Sequence, residues 1–183
     1  MNILEKAIIF ATEKHQGQVD KDGSLHILHS LGVMFSAKQL ANQYPKGFTL
    51  SLDELMAAAV IHDVIEDTPV TLKEVTQEFG QEIAYTVDCL SRRDAPEGKE
   101  TYRDFIYRTI SNPNSKLIKR ADLSHNLGRS HEIKEEKWRK KLQYKYGTAI
   151  KVIDYNLTWE QASTEWIDGV KYVSDPNGKK IRG

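Results

Sequence analysis

Residues 56–61 form an unbroken apolar run, and the six positions after it hold four ionisable side chains, His62, Asp63, Glu66 and Asp67. This junction constrains the fold more than any other stretch of the chain. The run lies in LDELMAAAVIHD, which is preceded by Ser51 with Glu54 three positions later, the signature of an N-terminal capping box. A helix that is apolar all round has no face for water, so residues 52–63 are expected to form the central, most buried helix. Buried charges are costly unless they are paired or bind metal. Adjacent His62 and Asp63 offer two metal ligands, and if the helix continues, Glu66 shares a face with His62. The plainer alternative is a polar helix end with a partly buried histidine.

Helical periodicity runs through most of the remaining chain. Ile3, Ala7, Ile8, Phe10 and Ala11 recur at three- and four-residue spacings. A polar loop with Gly17 and Gly23 covers residues 16–24, and a second helix spans 27–40. A connection with Pro45 and Gly47 follows at 42–51. Thr71 with Glu74 predicts another capping box, opening a short helix that ends near Gly80. Further helices are expected at 81–90, 100–111, 114–127 and 133–155, with a charged loop at 91–99. Trp159, Trp166 and Tyr172 suggest a docked helix or hairpin, and residues 174–183 read as a flexible tail. No repeat, low-complexity run or long strand pattern interrupts this, so the expectation is one all-α domain.

Composition removes several classes. Cys89 is the only cysteine, which excludes an intramolecular disulfide and a cysteine-based zinc site. No stretch of 18 apolar residues exists to span a membrane. The N-terminus carries Glu5 and Lys6 within its apolar stretch and lacks a small-residue cleavage site, so it reads as a helix and the default location is the cytoplasm. The 26 basic residues balance 26 acidic ones, which disfavours a wholly basic nucleic-acid binder. The balance hides a segregation. Residues 52–88 carry nine acids and one base, whereas 134–151 carry seven bases and two acids. Either these are two solvated helix faces, or each handles a different part of one charged ligand.

His29, in LHILHSLGV, and Asp122, in KLIKRADLSHNL, extend the chemistry of His62-Asp63. Alone, His29 reads as a core or capping histidine, and Asp122 as a salt-bridging residue with Lys119 or Arg120 as partner. Together the four give the order H…HD…D at spacings of 33, 1 and 59 residues. This resembles the HD-domain metal phosphohydrolases, all-α bundles that hold one divalent ion with two histidines and two aspartates. Mixed nitrogen and oxygen ligation fits Mn²⁺ best, with Fe²⁺ or Zn²⁺ as alternatives to the all-oxygen shells of Ca²⁺ and Mg²⁺. The segment AAVIHDVIEDTPVTLKEVTQEFGQEIA is similar to the hydrolase domain of RelA/SpoT proteins and small alarmone hydrolases. So are LIKRADLSHNL and the loop HQGQVDKDGSLHILHSLGV. The similarity covers about residues 5–155.

The resemblance implies metal ligation by His29, His62, Asp63 and Asp122, and catalysis by the acidic pair Glu66 and Asp67. It places Asn126 near the nucleotide, Lys21 in the substrate loop, and Ser91-Arg92 where the family has Thr-Lys. Lys119, Lys140 and Lys145, with Arg120 and Lys141, are candidate phosphate partners, and Tyr144 or Tyr146 offers a ring to a base. Glu66 is expected to orient or deprotonate water and Asp67 to shuttle or orient a proton. Asp20 stands where the family has an arginine, Leu25-His26 replaces Pro-Tyr, Ser30 replaces a proline, and Leu123 an arginine. The metal and hydrolytic parts therefore match, while the base-reading loop departs.

The implied function is removal of the 3′-pyrophosphate from (p)ppGpp-like alarmones by residues 1–155, with 156–183 as an aromatic extension and tail. Too little chain follows Tyr155 for a synthetase domain, so a standalone hydrolase is expected. Alternatives are HD-type hydrolysis of another nucleotide (ppApp, the 2′-phosphate of NADPH, a dNTP or a nucleoside monophosphate) and a non-catalytic nucleotide sensor. The expected partner is a small nucleotide, with no membrane or nucleic acid and an open oligomeric state.

Overall fold

The computed structural model describes residues 1–20, 23–95, 98–167, 170–174 and 180–182. Among these residues ten α-helices dominate: α1 (Ile3–Lys14), α2 (His26–Gln43), α3 (Leu52–Val60), α4 (Val64–Asp67), α5 (Leu72–Phe79), α6 (Gln81–Leu90), α7 (Tyr102–Ile110), α8 (Pro113–Arg129), α9 (Glu136–Tyr155) and α10 (Trp159–Ser163). A two-residue hairpin, β1 (Asp94–Ala95) with β2 (Gly98–Lys99), sits between α6 and α7. After α10 the chain forms an antiparallel sheet in the order β3 (Thr164–Ile167), β4 (Val170–Ser174), β5 (Lys180–Arg182). The sequence reading contained a helix or hairpin here but no third strand. Part of the stretch read as a tail is strand, because Lys180–Arg182 pair with Tyr172–Ser174.

Helix α3 lies at the centre. Every residue from Leu55 to Ile61 is buried. Its Ala57-Ala58-Ala59 stretch is small enough for α1, α2 and α6 to pack closely around it. Ser51 and Glu54 form the expected capping box. At Thr71 only half of that motif forms. The Thr71 hydroxyl accepts from the Glu74 amide, while the Glu74 carboxylate pairs with Lys14 at 2.8 Å. Pro113 occupies the first turn of α8 behind the Asn112 cap, where its missing N–H has no helical partner to lose.

Helix α8 is the wall between two apolar clusters. Leu117, Ile118 and Ala121 face the first, built on α1, α2, α3, α5 and α6. Leu123 faces the second, where Tyr102, Phe105 and Ile106 of α7 meet Ala149, Val152 and Ile153 of α9 and Trp159 of α10. Asp122 sits between these faces, where a carboxylate is buried unless a cavity opens to it.

The expected single helix over residues 52–63 is interrupted. It ends at Val60, turns through residues 61–63 and restarts as α4. The His62 ring supplies the reason. Its Nδ1 donates to the Ala59 carbonyl at 2.8 Å, taking the acceptor that a continuing helix would offer to the Asp63 amide. His62 and Glu66 therefore do not share a helical face.

Candidate functional site

The turn at residues 61–63 drives His62 inward, where its side chain is fully buried. Donation from Nδ1 to Ala59 leaves the Nε2 lone pair aimed at carboxylates. Nε2 lies 2.9 Å from Asp63 Oδ2 and 3.9 Å from Asp122 Oδ1. His29, from the first turns of α2, brings its Nε2 to 3.4 Å from Asp122 Oδ1 and 3.7 Å from Asp63 Oδ2. Its Nδ1 lies 2.9 Å from His125 Nδ1 on α8. Three elements thus converge two imidazole nitrogens and two carboxylates on one buried point. Ligand atoms of His29, His62 and Asp122 all fall within 4.8 Å of one another. Each histidine has its far nitrogen occupied and its near nitrogen facing anions, which is the arrangement a divalent cation needs.

Electrostatics bind the group together. Burial by itself lowers the His62 pKa, yet the Asp63 charge and hydrogen bond outweigh it and raise the imidazole to about 9. Burial would raise the Asp63 carboxyl, but the adjacent His62 holds it well below the usual carboxylate range. Asp122 behaves likewise, with the Lys119 ammonium 2.7 Å from its Oδ2 as the main opposing charge. Asn126 donates to the other oxygen, Oδ1. Asp67 moves the opposite way. Burial, Asp63 and Glu66 all raise its carboxyl.

This point is the floor of a cavity of about 610 Å³, lined by Asp63, Glu66 and Asp67 together with Arg92, Lys119, Lys145 and Arg129. That volume suits a nucleotide-sized ligand. Tyr102, Tyr146 and Phe105 supply aromatic walls, and Lys145 Nζ stands 3.8 Å from the centroid of the Tyr102 ring.

The HD-domain family model matches residues 7–140, well over half of the chain. The chain belongs to the HD-domain family. Among relatives, this HD domain is 32% identical over 141 residues to a guanosine-3′,5′-bis(diphosphate) 3′-pyrophosphohydrolase of Aquifex aeolicus. It is 31% identical over 144 residues to the bifunctional (p)ppGpp synthase/hydrolase SpoT of Escherichia coli. Each match takes in 75% of this chain but only 19% of the relative, so the chain spans about a fifth of their length. A solved structure of a metazoan ortholog of SpoT, which hydrolyses ppGpp and plays a role in starvation responses, superposes with a TM-score of 0.69. That likeness covers 88% of this chain and 92% of the other at 20% identity, and it shows a shared fold.

The HD domain brings most of the expected residues together. His29, Asp63, Glu66, Asp67, Asp122, Arg92, Lys119, Asn126, Lys145 and Tyr146 line the cavity, with His62 beneath. Lys140 does not. It is exposed and lies 2.6 Å from Glu136 on its own helix, because it points away from the α8-facing side of α9. Arg120 pairs with Asp154 at 2.7 Å on the opposite side of α8, and Lys141 lies over the Trp138 ring. The Tyr144 hydroxyl donates to the Ser163 carbonyl. Lys21 lies outside the described residues.

Glu66 is held by the β1–β2 region. Its Oε1 receives Lys99 Nζ at 2.8 Å, and its Oε2 the Arg92 amide at 3.2 Å. Sequence reasoning missed the roles of His125, Arg129 and Tyr102. His125 sits three residues after Asp122, one helical turn on, which was the available signal. Arg129 reaches back across more than a hundred residues to Asp20, and Tyr102 comes from a helix with no chemical motif, so neither left a local sign.

Proposed function

We propose that this HD domain is a metal-dependent hydrolase that removes the 3′-pyrophosphate from (p)ppGpp-like alarmone nucleotides. The observation that carries this is the convergence of His29, His62, Asp63 and Asp122 at a cavity that Glu66, Asp67, Arg92, Lys119 and Lys145 also line. Those four side chains would hold one divalent ion, with Mn²⁺ favoured by the mixed donor set. Such an ion acidifies water and withdraws charge from a phosphoryl oxygen.

The remaining chemistry belongs to the chain. Glu66, fixed by Lys99 and the Arg92 amide, orients the attacking water and accepts its proton. Asp67, whose carboxyl is raised by burial and by its acidic neighbours, holds a proton for the leaving ribose oxygen. Arg92, Lys119 and Lys145 offset the charge of the phosphates, with Lys21 as a further partner from the loop, and Asn126 keeps Asp122 oriented. Residues 1–155 make up the catalytic unit, and 156–183 an extension docked on it through Trp159. The cytoplasm is the fitting compartment for a nucleotide substrate, and neither nucleic acid nor membrane is a partner in this reading. Among the described residues no helix is long and apolar enough to cross a membrane.

A second reading changes the base and keeps the chemistry. Asp20, at the place of the family arginine, is committed to His26 and Arg129 at 2.8 Å each. An anion at the cavity rim favours a nucleotide with a different hydrogen-bonding edge, such as ppApp. Turnover of ppGpp, pppGpp, ppApp, NADPH and dNTPs with Mn²⁺ separates the readings. Pyrophosphate released from the first two supports the alarmone assignment. Release from ppApp alone moves the base, and phosphate or triphosphate from the others redirects the substrate. Tight nucleotide binding with no turnover of any of them would leave a sensor.

A further inference from the structure

We propose that Arg108 of α7 is a positioning residue for the Glu66 carboxylate, acting through the Ser91–Arg92 peptide and through Glu100, the neighbour of Lys99. The proposal deepens the hydrolase reading, on which its turnover measurement rests. Arg108 stands behind the cavity, which Arg92 and Glu66 line in front of it.

The Arg108 side chain is 18% exposed and that of Glu100 16%. Nε and Nη2 of Arg108 donate to Glu100 Oε1 and Oε2 at 3.0 and 2.8 Å, a two-point fork that needs a planar guanidinium. Nη1 donates to the Asp88 carbonyl at 3.1 Å, and Nη2 also donates to the Ser91 carbonyl at 2.7 Å. One charge thus ties the end of α6 to the residue that follows β2. The contact with Ser91 carries the argument, because of what lies on the other side of that peptide.

The Ser91 carbonyl and the Arg92 N–H belong to one peptide unit. In a planar trans peptide they point in opposite directions, so fixing one aims the other. Arg108 holds the carbonyl, and the N–H donates to Glu66 Oε2 at 3.2 Å. A cation on the carbonyl side also polarises the N–H into a better donor to an anion. The second Glu66 oxygen is served from the same hub. Lys99 Nζ lies 2.8 Å from Oε1, and the residue after Lys99 is the Glu100 that Arg108 grips. The two arms are joined where the Glu100 amide donates to the Arg93 carbonyl at 2.9 Å and the Arg93 amide to Glu100 Oε2 at 3.3 Å. Both partners of the Glu66 carboxylate therefore trace back to one guanidinium. A lysine at position 108 keeps the charge but cannot reach Glu100, Asp88 and Ser91 together. The peptide is then free to turn, and Glu66 loses its orientation toward the attacking water.

Two measurements on the full chain test this. Amide hydrogen exchange asks whether Arg108 holds the arm, and it needs no turnover. In R108K the Arg92 amide should exchange faster by about tenfold or more, the worth of a hydrogen bond to a charged group, while amides within α3 keep wild-type protection. Unchanged protection at Arg92 overturns the proposal. Steady-state turnover with Mn²⁺, of ppGpp or of ppApp if that is the nucleotide the wild type accepts, asks whether the arm serves Glu66. In R108K kcat should fall by about 10–100-fold with KM little changed. In an E66A background R108K should cost nothing further. A purely structural joint would multiply the two losses, and that result overturns the proposal, as does a raised KM with full kcat. If R108K does not fold, E100Q removes the charge from the fork and is read by the same two measurements. If the wild type turns over no nucleotide, the hydrolase reading falls, and exchange at Arg92 alone decides whether Arg108 sets the Glu66 contact.

Discussion

At the residue scale, the site is a set of neighbouring groups whose charges depend on one another. Glu66 and Asp67 are adjacent carboxylates with different surroundings. Glu66 is held by a lysine and a backbone amide, while Asp67 is pushed toward its protonated form by burial and by Asp63 and Glu66. Replacing either by alanine is expected to lower kcat by about 10²–10⁴-fold, the usual range for a general acid or base. E66A should keep its Mn²⁺ content, since Glu66 is not one of the four proposed ligands. Near-full turnover in both variants would sink the assignment. His62 gives a second expectation. Its folded pKa of about 9 is raised above the ordinary imidazole value of 6.5, so the proton-linked stability of the metal-free protein is present below pH 6.5 and lost as pH rises through 9. Metal needs the neutral ring, so Mn²⁺ must displace that proton below pH 9. Apparent Mn²⁺ affinity should therefore climb by up to about tenfold per pH unit from 7 toward 9 and then level off. Calorimetric titration at several pH values checks this, and a flat profile would overturn it.

At the element scale, what the sequence disclosed depended on whether the signal was local. The Ser51 cap, the apolar core of α3 and the starts of α2, α5 and α6 follow from neighbours within four residues, and they appear within a residue or so of expectation. The break after Val60 was hidden because VIHDVIED holds no glycine or proline to mark it. It took the His62 ring turning back to Ala59 to end the helix. The strand pairing beyond α10 was hidden for a different reason. Its strands are three to five residues long, and pairing rather than a residue pattern defines them. The candidate ligands His29, His62, Asp63 and Asp122 were legible as residue types at intervals, but the groups packed behind them were not. Gly32 illustrates the point. It reads as an unremarkable helical glycine in α2, yet a Cβ there would lie 2.2 Å from His125 Nε2 on α8. The missing side chain makes room for the ring that contacts His29 Nδ1. G32A should displace His125 and weaken Mn²⁺ binding by about 10–100-fold, the usual effect of losing a partner behind a ligating histidine. Helix content by circular dichroism should stay unchanged. Wild-type Mn²⁺ affinity in G32A would remove His125 from this role.

At the scale of the whole molecule, the cavity is the seam between two apolar clusters, and each supplies what the other lacks. The cluster around α3 delivers the acids and imidazoles. The cluster around α7, α9 and α10 delivers Tyr102, Tyr146 and Lys145. The opposed charge segments of the sequence take part only partly, since Lys145 faces the cavity while Lys140 faces solvent. The C-terminal extension enters this arrangement through Trp159, which is 2% exposed and meets Tyr102 edge to face with ring centroids 5.8 Å apart. Lys145 stands on that same Tyr102 ring. A change at Trp159 should therefore be felt in the cavity without touching His29, His62, Asp63 or Asp122. W159A removes a large side chain from the second cluster and is expected to cost about 3–5 kcal/mol of stability, measured by urea unfolding. If Trp159 acts only as filler, turnover at temperatures where W159A remains folded should match the wild type. If it holds Tyr102 and Lys145 in place for the phosphates, KM should rise several-fold with kcat and Mn²⁺ content little changed. The second result is expected, because the contact chain from Trp159 through Tyr102 ends on Lys145 in the cavity lining and not on the His29, His62, Asp63 and Asp122 group.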